Sequence, residues 1–262
     1  MISVLTPTYN RAYTLTRLYK SLIYQSSKLF EWVIVDDGSK DETEALIKEF
    51  KQQNLIRIIY HQQENKGKSQ ALNVGVQLCT GSNILIVDSD DLLTTDAITS
   101  IEESLVEAVR DNKKISGVAF RKAYLDETII GTIFDDGVDS FCYLPATDAG
   151  HLFNGDLAYC FKKEMLEQFP FPYFHNEKFV PELYIWNKIT DQALVKFHKT
   201  KAVYLCEYLE DGLSKNFYQQ LLANPKGFGI YYIDQFKRED SYMRKLKMLI
   251  RYLQCKLYEL KR

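Results

Sequence analysis

The chain has 262 residues, 46% of them hydrophobic and 26% charged, with a formal net charge of −2. That is the composition of an ordinary globular protein long enough for a large core; it excludes a disordered chain and argues against a nucleic-acid binder. Five cysteines (Cys79, Cys142, Cys160, Cys206 and Cys255) lie apart without a C-x-x-C pair, which favours reduced thiols over a zinc site or a disulfide framework.

The first half alternates strand and helix signals. Ile2 to Thr6 reads as a strand, and Leu15, Leu18, Tyr19, Leu22 and Ile23 mark one face of the helix after it. Trp32 to Val35 is a second strand, ending at Asp36-Asp37-Gly38-Ser39. Ser39 and Glu42 have the S-x-x-E spacing of a capping box, predicting a helix to about Gln53. Ile56 to Tyr60 is a third strand; the loop Asn65-Lys66-Gly67-Lys68 leads into a helix from Ser69 to Leu78. Ile84 to Val87 is the fourth strand, and Ala97, Ile98, Ile101, Leu105 and Val109 mark the next helix. Repeated β-α-β units predict a mostly parallel sheet with right-handed crossovers. Beyond residue 115, Gly117 to Tyr124 and Ile129 to Phe134 read as strands, with Asp135-Asp136-Gly137 as a turn. Pro181 opens a helix to Thr190, Val203 to Cys206 is another strand, and helices fill the tail. No apolar run reaches about 18 residues, and no basic leader with a cleavage site precedes the first strand, so a cytoplasmic protein is expected.

Chemistry concentrates where strands end. Ile84-Leu85-Ile86-Val87 empties into Asp88-Ser89-Asp90-Asp91, and Trp32 to Val35 into Asp36-Asp37. A parallel sheet brings both groups to its C-terminal edge, where open α/β sheets bind ligands. Asp36 and Asp37 also suit a plain turn. Capping a helix does not need three carboxylates, and three this close repel unless a hard divalent cation sits among them.

Four segments in order, Thr6-Pro7-Thr8-Tyr9-Asn10-Arg11, Val35-Asp36-Asp37-Gly38-Ser39, Asn65-Lys66-Gly67 with Ala71-Leu72-Asn73-Val74-Gly75, and Val87-Asp88-Ser89-Asp90-Asp91, resemble glycosyltransferase family 2 across about the first 100 residues. The resemblance implies an α/β GT-A fold: a mostly parallel Rossmann-like sheet flanked by helices, a mixed acceptor-side region and a C-terminal helical extension. It implies inverting transfer from a nucleotide-sugar, a UDP-sugar for preference, to a hydroxyl of a cell-surface glycan or lipid-linked acceptor. By that match Pro7, Tyr9 and Asp37 surround the base, and Arg11 reaches a phosphate or is a solvated helix-start charge. Gly67, Lys68 and Asn73 border the donor; Asp88 and Ser89 lie near the ribose, and Asp90, with Asp91, holds the Mn²⁺ or Mg²⁺ ion.

A general base for the acceptor hydroxyl is expected from the second half. Asn176-Glu177-Lys178-Phe179-Val180-Pro181-Glu182 resembles the family's acidic acceptor-side motif, with its acids five apart. Glu182 is the first choice, although it equally suits the helix dipole, and Glu177 is the reserve. Asp156 and Trp186 are acceptor-side candidates. The domains expected are a catalytic domain over 1–212, divided into a nucleotide-sugar half (1–115) and an acceptor half (116–212), and a helical extension over 213–262. From Lys237 to Arg262 nine basic residues face three acidic ones, a net +6. Met243, Leu246, Ile250, Leu253 and Leu257 recur there at helical spacing. Such a helix lies on the inner face of a membrane or docks on the catalytic domain with a solvated basic face. The alternative function is a non-catalytic nucleotide-sugar-binding or scaffolding subunit of the same fold. No G-x-G-x-x-G follows the first strand, which disfavours a dinucleotide oxidoreductase.

Overall fold

The computed structural model describes residues 1–110, 113–135, 140–207 and 216–261. The first half alternates: β1 (Ile2–Thr8), α1 (Ala12–Ile23), β2 (Phe30–Asp36), α2 (Thr43–Gln53), β3 (Arg57–Gln62), α3 (Lys68–Leu78) and β4 (Asn83–Ile86). A short β5 (Leu92–Leu93) and α4 (Ala97–Arg110) follow. Next come β6 (Ile115–Tyr124), β7 (Phe141–Leu144), α5 (Ala146–Phe153), β8 (Leu157–Lys162), α6 (Lys163–Gln168), α7 (Glu182–Thr190) and β9 (Leu194–Cys206). Helices α8 (Phe217–Ala223), α9 (Pro225–Arg238) and α10 (Tyr242–Leu260) follow. The 212/213 domain boundary lies outside the described residues.

Nine strands among the described residues share one sheet, ordered β3-β2-β1-β4-β8-β6-β9-β5, with β7 also paired to β9. From β3 to β4 all pairs are parallel, and Thr8 pairs with Asp36 in register. The chain therefore leaves β1, β2 and β4 at one sheet edge. Antiparallel β8 joins β4 to β6, so the acceptor-side half is mixed. The sheet is thus mixed: parallel in its first half, as the repeated β-α-β units implied, and mixed in the acceptor-side half, as the family resemblance implied.

The sheet buries apolar side chains on both faces. On one, Leu15, Leu18 and Leu22 of α1 pack on Trp32 and Ile34; on the other, Ala71, Leu72 and Val76 of α3 pack on Leu5 and Val33. The Trp32 indole N–H donates to Thr6 Oγ1 at 3.0 Å, and the Tyr19 and Phe50 rings stack at 4.0 Å. All five cysteines are free, four of them buried.

Two local expectations are corrected. The Ser39–Glu42 capping box does not form: α2 starts at Thr43, and the Ser39 hydroxyl accepts the Asn10 N–H instead. Asp41 takes over, accepting the Thr43 N–H and hydroxyl. Ile129 to Phe134 is not a strand beyond an isolated bridge of Ile129 to Ala123. The fully buried Arg121 draws the carbonyls of Ile130 and Thr132 to its guanidinium, which removes them from any ladder. Of the turn expected at Asp135-Asp136-Gly137, the last two residues lie outside the described ones.

His198 on β9 gives the fold a pH dependence. Its ring stacks on Phe120 at 4.2 Å and its Nε2 meets Ser104 Oγ at 2.7 Å. Burial, with Lys196 and Lys201 nearby, pushes its pKa down to about 4 against the pull of Glu107. The unfolded chain thus takes up this proton first, near pH 6.5, and stability falls as pH drops from there to about 4. The expected loss is on the order of 3 kcal/mol, measured as unfolding free energy against pH. A His198→Phe variant should lose that component, and an unchanged pH slope would contradict it.

Candidate active site

A cleft of about 1260 Å³ opens at the edge where β1, β2 and β4 end. Pro7 near the end of β1, Tyr9 and Arg11 after it, Asp37 after β2, and Asp88 to Asp91 after β4 all line it. Tyr9 presents 46% of its surface, so its ring is open to a flat ligand. Arg11 sits within cation–π range of Tyr13. Asp36, buried beneath, takes no part in the lining: it accepts from the Ser39 N–H, the Tyr60 hydroxyl and the Gln62 amide.

Asp37 organises the loop between β3 and α3. Its Oδ1 accepts the Lys66 N–H and the Gln63 amide, both at 2.8 Å, and its Oδ2 accepts the Gly67 N–H at 2.7 Å. A carboxylate has about four lone-pair sites, so one further donor can be accommodated. Gly67 is needed for two reasons. Its φ is +91°, and a Cβ there would lie 2.0 Å from the Lys178 carbonyl oxygen. Loop 176–181, from the acceptor half, therefore rests directly on the start of α3.

That approach assembles the central charge cluster. Lys68, at the first position of α3, puts its ammonium 2.7 Å from Asp88 Oδ1 and 2.8 Å from Glu182 Oε1. Burial opposes the charge on Lys68, but the two carboxylates more than offset it and raise its pKa. Asp88 is held below the usual carboxylate range: burial pushes it up, and Lys68, Lys122 and Arg11 overcome that.

Lys122 of β6 and Tyr204 of β9 had no signal in the local sequence, because β6 and β9 reach the cleft only through the long-range topology. The Tyr204 hydroxyl accepts the Asp88 N–H at 2.9 Å and donates to Asp91 Oδ2 at 2.7 Å, fixing the Asp88-Ser89-Asp90-Asp91 turn. The Lys122 ammonium lies 3.9 Å from the centre of the Tyr204 ring.

The three acids are not equivalent. Asp91 is buried, and burial with the charges of Asp88 and Asp90 pushes its pKa up to about 7, against Lys122 and Tyr204. Asp90 is also raised, by burial and then by Asp88. With Asp88 engaged by Lys68 and Asp91 by Tyr204, Asp90 is the carboxylate with unmet demand for positive charge. Among the described residues no group of three His, Cys, Asp or Glu side chains is disposed to hold a metal alone. Hard divalent cations that work on diphosphates are commonly bound by one or two carboxylates, with phosphate oxygens and water completing the shell. Asp90 fits that donor set.

On the acceptor side, Asp156 before β8 and Trp186 on α7 line the same cleft as Glu182. Trp186 is only 4% exposed and packs with Tyr159, Phe161 and Phe171, so it is chiefly a core residue touching the cleft wall. Glu177, the reserve base, is not among the residues lining the cleft: its buried carboxylate accepts the Lys226 and Gly227 N–H groups in the first turn of α9. Asn73, expected to border the donor, is not among the residues lining the cleft. Its amide oxygen accepts the Phe171 N–H and its amide nitrogen donates to the Phe171 carbonyl, both at 2.8 Å, which clamps the loop before α7.

A family model described as glycosyl transferase family 2 matches residues 3–134, about half of the chain. The chain belongs to glycosyl transferase family 2. Glycosyltransferase GlyA of Streptococcus pneumoniae is 37% identical over 110 residues, covering 42% of this chain but 16% of that protein. The chain thus spans under a fifth of that relative's length. A Campylobacter jejuni protein named GalNAc(5)-diNAcBac-PP-undecaprenol beta-1,3-glucosyltransferase is 24% identical over 240 residues, 85% of this chain and 71% of its own. The crystal structure of S. aureus TarS residues 1–349 in complex with UDP-GlcNAc superposes with a TM-score of 0.64 at 19% identity. It covers 97% of this chain and 72% of that one. The family 2 chain thus has the GT-A fold.

Proposed function

We propose that this family 2 chain transfers a sugar, with inversion, from a UDP-sugar to a hydroxyl of a glycan or lipid-linked acceptor. The observation that carries the proposal is Lys68, which joins Asp88 at the strand-end edge to Glu182 of the opposite half within one cleft. The TarS complex with UDP-GlcNAc supports a uridine donor, and the Campylobacter relative's name supports an acceptor linked to a polyprenol diphosphate.

In this reading the Tyr9 ring stacks on the base beside Pro7, and Asp37 accepts one base N–H with its remaining lone pair. Ser89 and Asp88 border the ribose, and Lys68, Lys122 and Arg11 set positive charge near the diphosphate. Asp90 holds Mn²⁺ or Mg²⁺, which when bound supplies Lewis-acid stabilisation of charge on the departing diphosphate. Asp91, tied to Tyr204, holds the turn that aims Asp90. Glu182 accepts the proton of the acceptor hydroxyl as its oxygen attacks the anomeric carbon; the carbon–oxygen bond to the diphosphate breaks on the opposite side. One base and one displacement give inversion. Asp156 and the exposed edge of Trp186 shape the acceptor end.

Glu182→Gln tests the base. It is nearly isosteric at the start of α7, so kcat should fall by about 10²-fold or more while donor affinity stays within about threefold. Initial rates of UDP release and calorimetric donor binding read the two quantities. A variant at full rate would move the base elsewhere, and loss of donor binding would make Glu182 a donor-site residue.

A further inference from the structure

Helix α10 shows two opposed faces. One docks on α9 and α8 through Met248, Tyr252, Cys255 and Tyr258. On the other, Met243, Leu246, Ile250, Leu253, Leu257 and Leu260 alternate at spacings of three and four. They form a continuous stripe whose residues are 51% to 84% exposed. Helical periodicity places Lys261 and Lys247, which also lines the cleft, along one border of this stripe and Lys245 and Lys256 along the other. Glu259, the one acid within α10, pairs with Lys256 at 2.9 Å.

From that pattern we propose that this face of α10 lies on an anionic lipid surface, with the apolar stripe among the acyl chains and the lysines among the phosphates. The charge decides the occupant. A second copy would set one lysine border against another whether the helices ran parallel or antiparallel, and like charges facing each other oppose pairing. An anionic bilayer complements both borders at once, and each lysine near such a surface adds attraction. No helix among the described residues is long and apolar enough to cross a membrane, so the contact is one of surface adsorption. This contact is independent of whether the cleft transfers a sugar.

The test is cosedimentation of the full chain with vesicles of phosphatidylcholine alone or with about a third phosphatidylglycerol. The chain should partition onto the anionic vesicles about tenfold more than onto the neutral ones, and about 0.5 M salt should release most of it. A Leu246→Gln/Ile250→Gln/Leu253→Gln variant should bind about tenfold less, as should Lys256→Glu/Lys261→Glu. Both alter exposed positions, and Lys256→Glu gives up only the exposed pair with Glu259, so circular dichroism should match the parent and the thermal midpoint should stay within about 2 °C of it. Absent binding by the parent, or full binding by both variants, overturns the proposal. So does a concentration-dependent dimer in sedimentation equilibrium that the leucine variant abolishes, since a second copy would then cover the stripe.

Discussion

Asp90→Ala should lower the rate of sugar transfer about 10³-fold or more and remove the effect of Mn²⁺ on donor affinity. Of the three acids after β4, Asp90 is the one whose carboxylate is left to meet a cation: Lys68 engages Asp88, and Tyr204 engages Asp91. Losing the cation leaves the charge growing on the departing diphosphate without its strongest neighbour, and each factor of ten is about 1.4 kcal/mol of barrier. Asp91→Asn is the control. An amide oxygen can still accept from the Tyr204 hydroxyl, so the turn survives and activity should stay within about tenfold. Steady-state rates across a Mn²⁺ titration compare the two, with circular dichroism confirming the fold. Equal losses at both positions would contradict the division of roles.

Gly67→Ala should cost about 4 kcal/mol or more, with a thermal midpoint lower by about 10 °C. Two penalties add. At φ +91° a side chain carries the left-handed strain, and the added methyl meets the Lys178 carbonyl oxygen at 2.0 Å, where neither partner is a flexible tip. Relief requires loop 176–181 to lift off α3, which carries Glu182 away from Lys68 and opens the cleft. The variant should therefore lose transfer activity even where it remains folded at low temperature. A thermal midpoint within about 2 °C of the parent would show that the loop yields freely. Gly227 makes a similar approach to the Phe179 carbonyl from the other side, so the loop is held between α3 and α9.

The strand-end edge of the first half was legible because its signals are local. Strands β1, β2 and β4 each run straight into their polar residues, and a parallel sheet leaves no choice of edge for Asp37 and Asp90. What escaped depends on contacts distant in sequence. Lys122 and Tyr204 lie within ordinary-looking strands and reach the acids only through the antiparallel insertion of β8. Glu177 and Asn73 have the right residue type beside the right motif. Their partners, the first turn of α9 and the Phe171 backbone, are set by tertiary packing that no spacing reveals. The Ser39–Glu42 pattern failed for a similar reason: a hydrogen bond across to Asn10 claimed the serine. Lys68, a loop-end cation in the sequence, proved to be the link between the two halves.

A UDP-sugar bound at this strand-end edge would set its diphosphate beside Asp90 and Lys68. Calorimetric titration of UDP with and without Mn²⁺, on the parent chain and on Asp90→Ala, tests this placement most directly. The parent should bind UDP about tenfold or more tightly with Mn²⁺ than without, and the variant should bind it weakly and indifferently to Mn²⁺. Parent and variant binding UDP alike, or no binding by the parent with either metal condition, would contradict that placement.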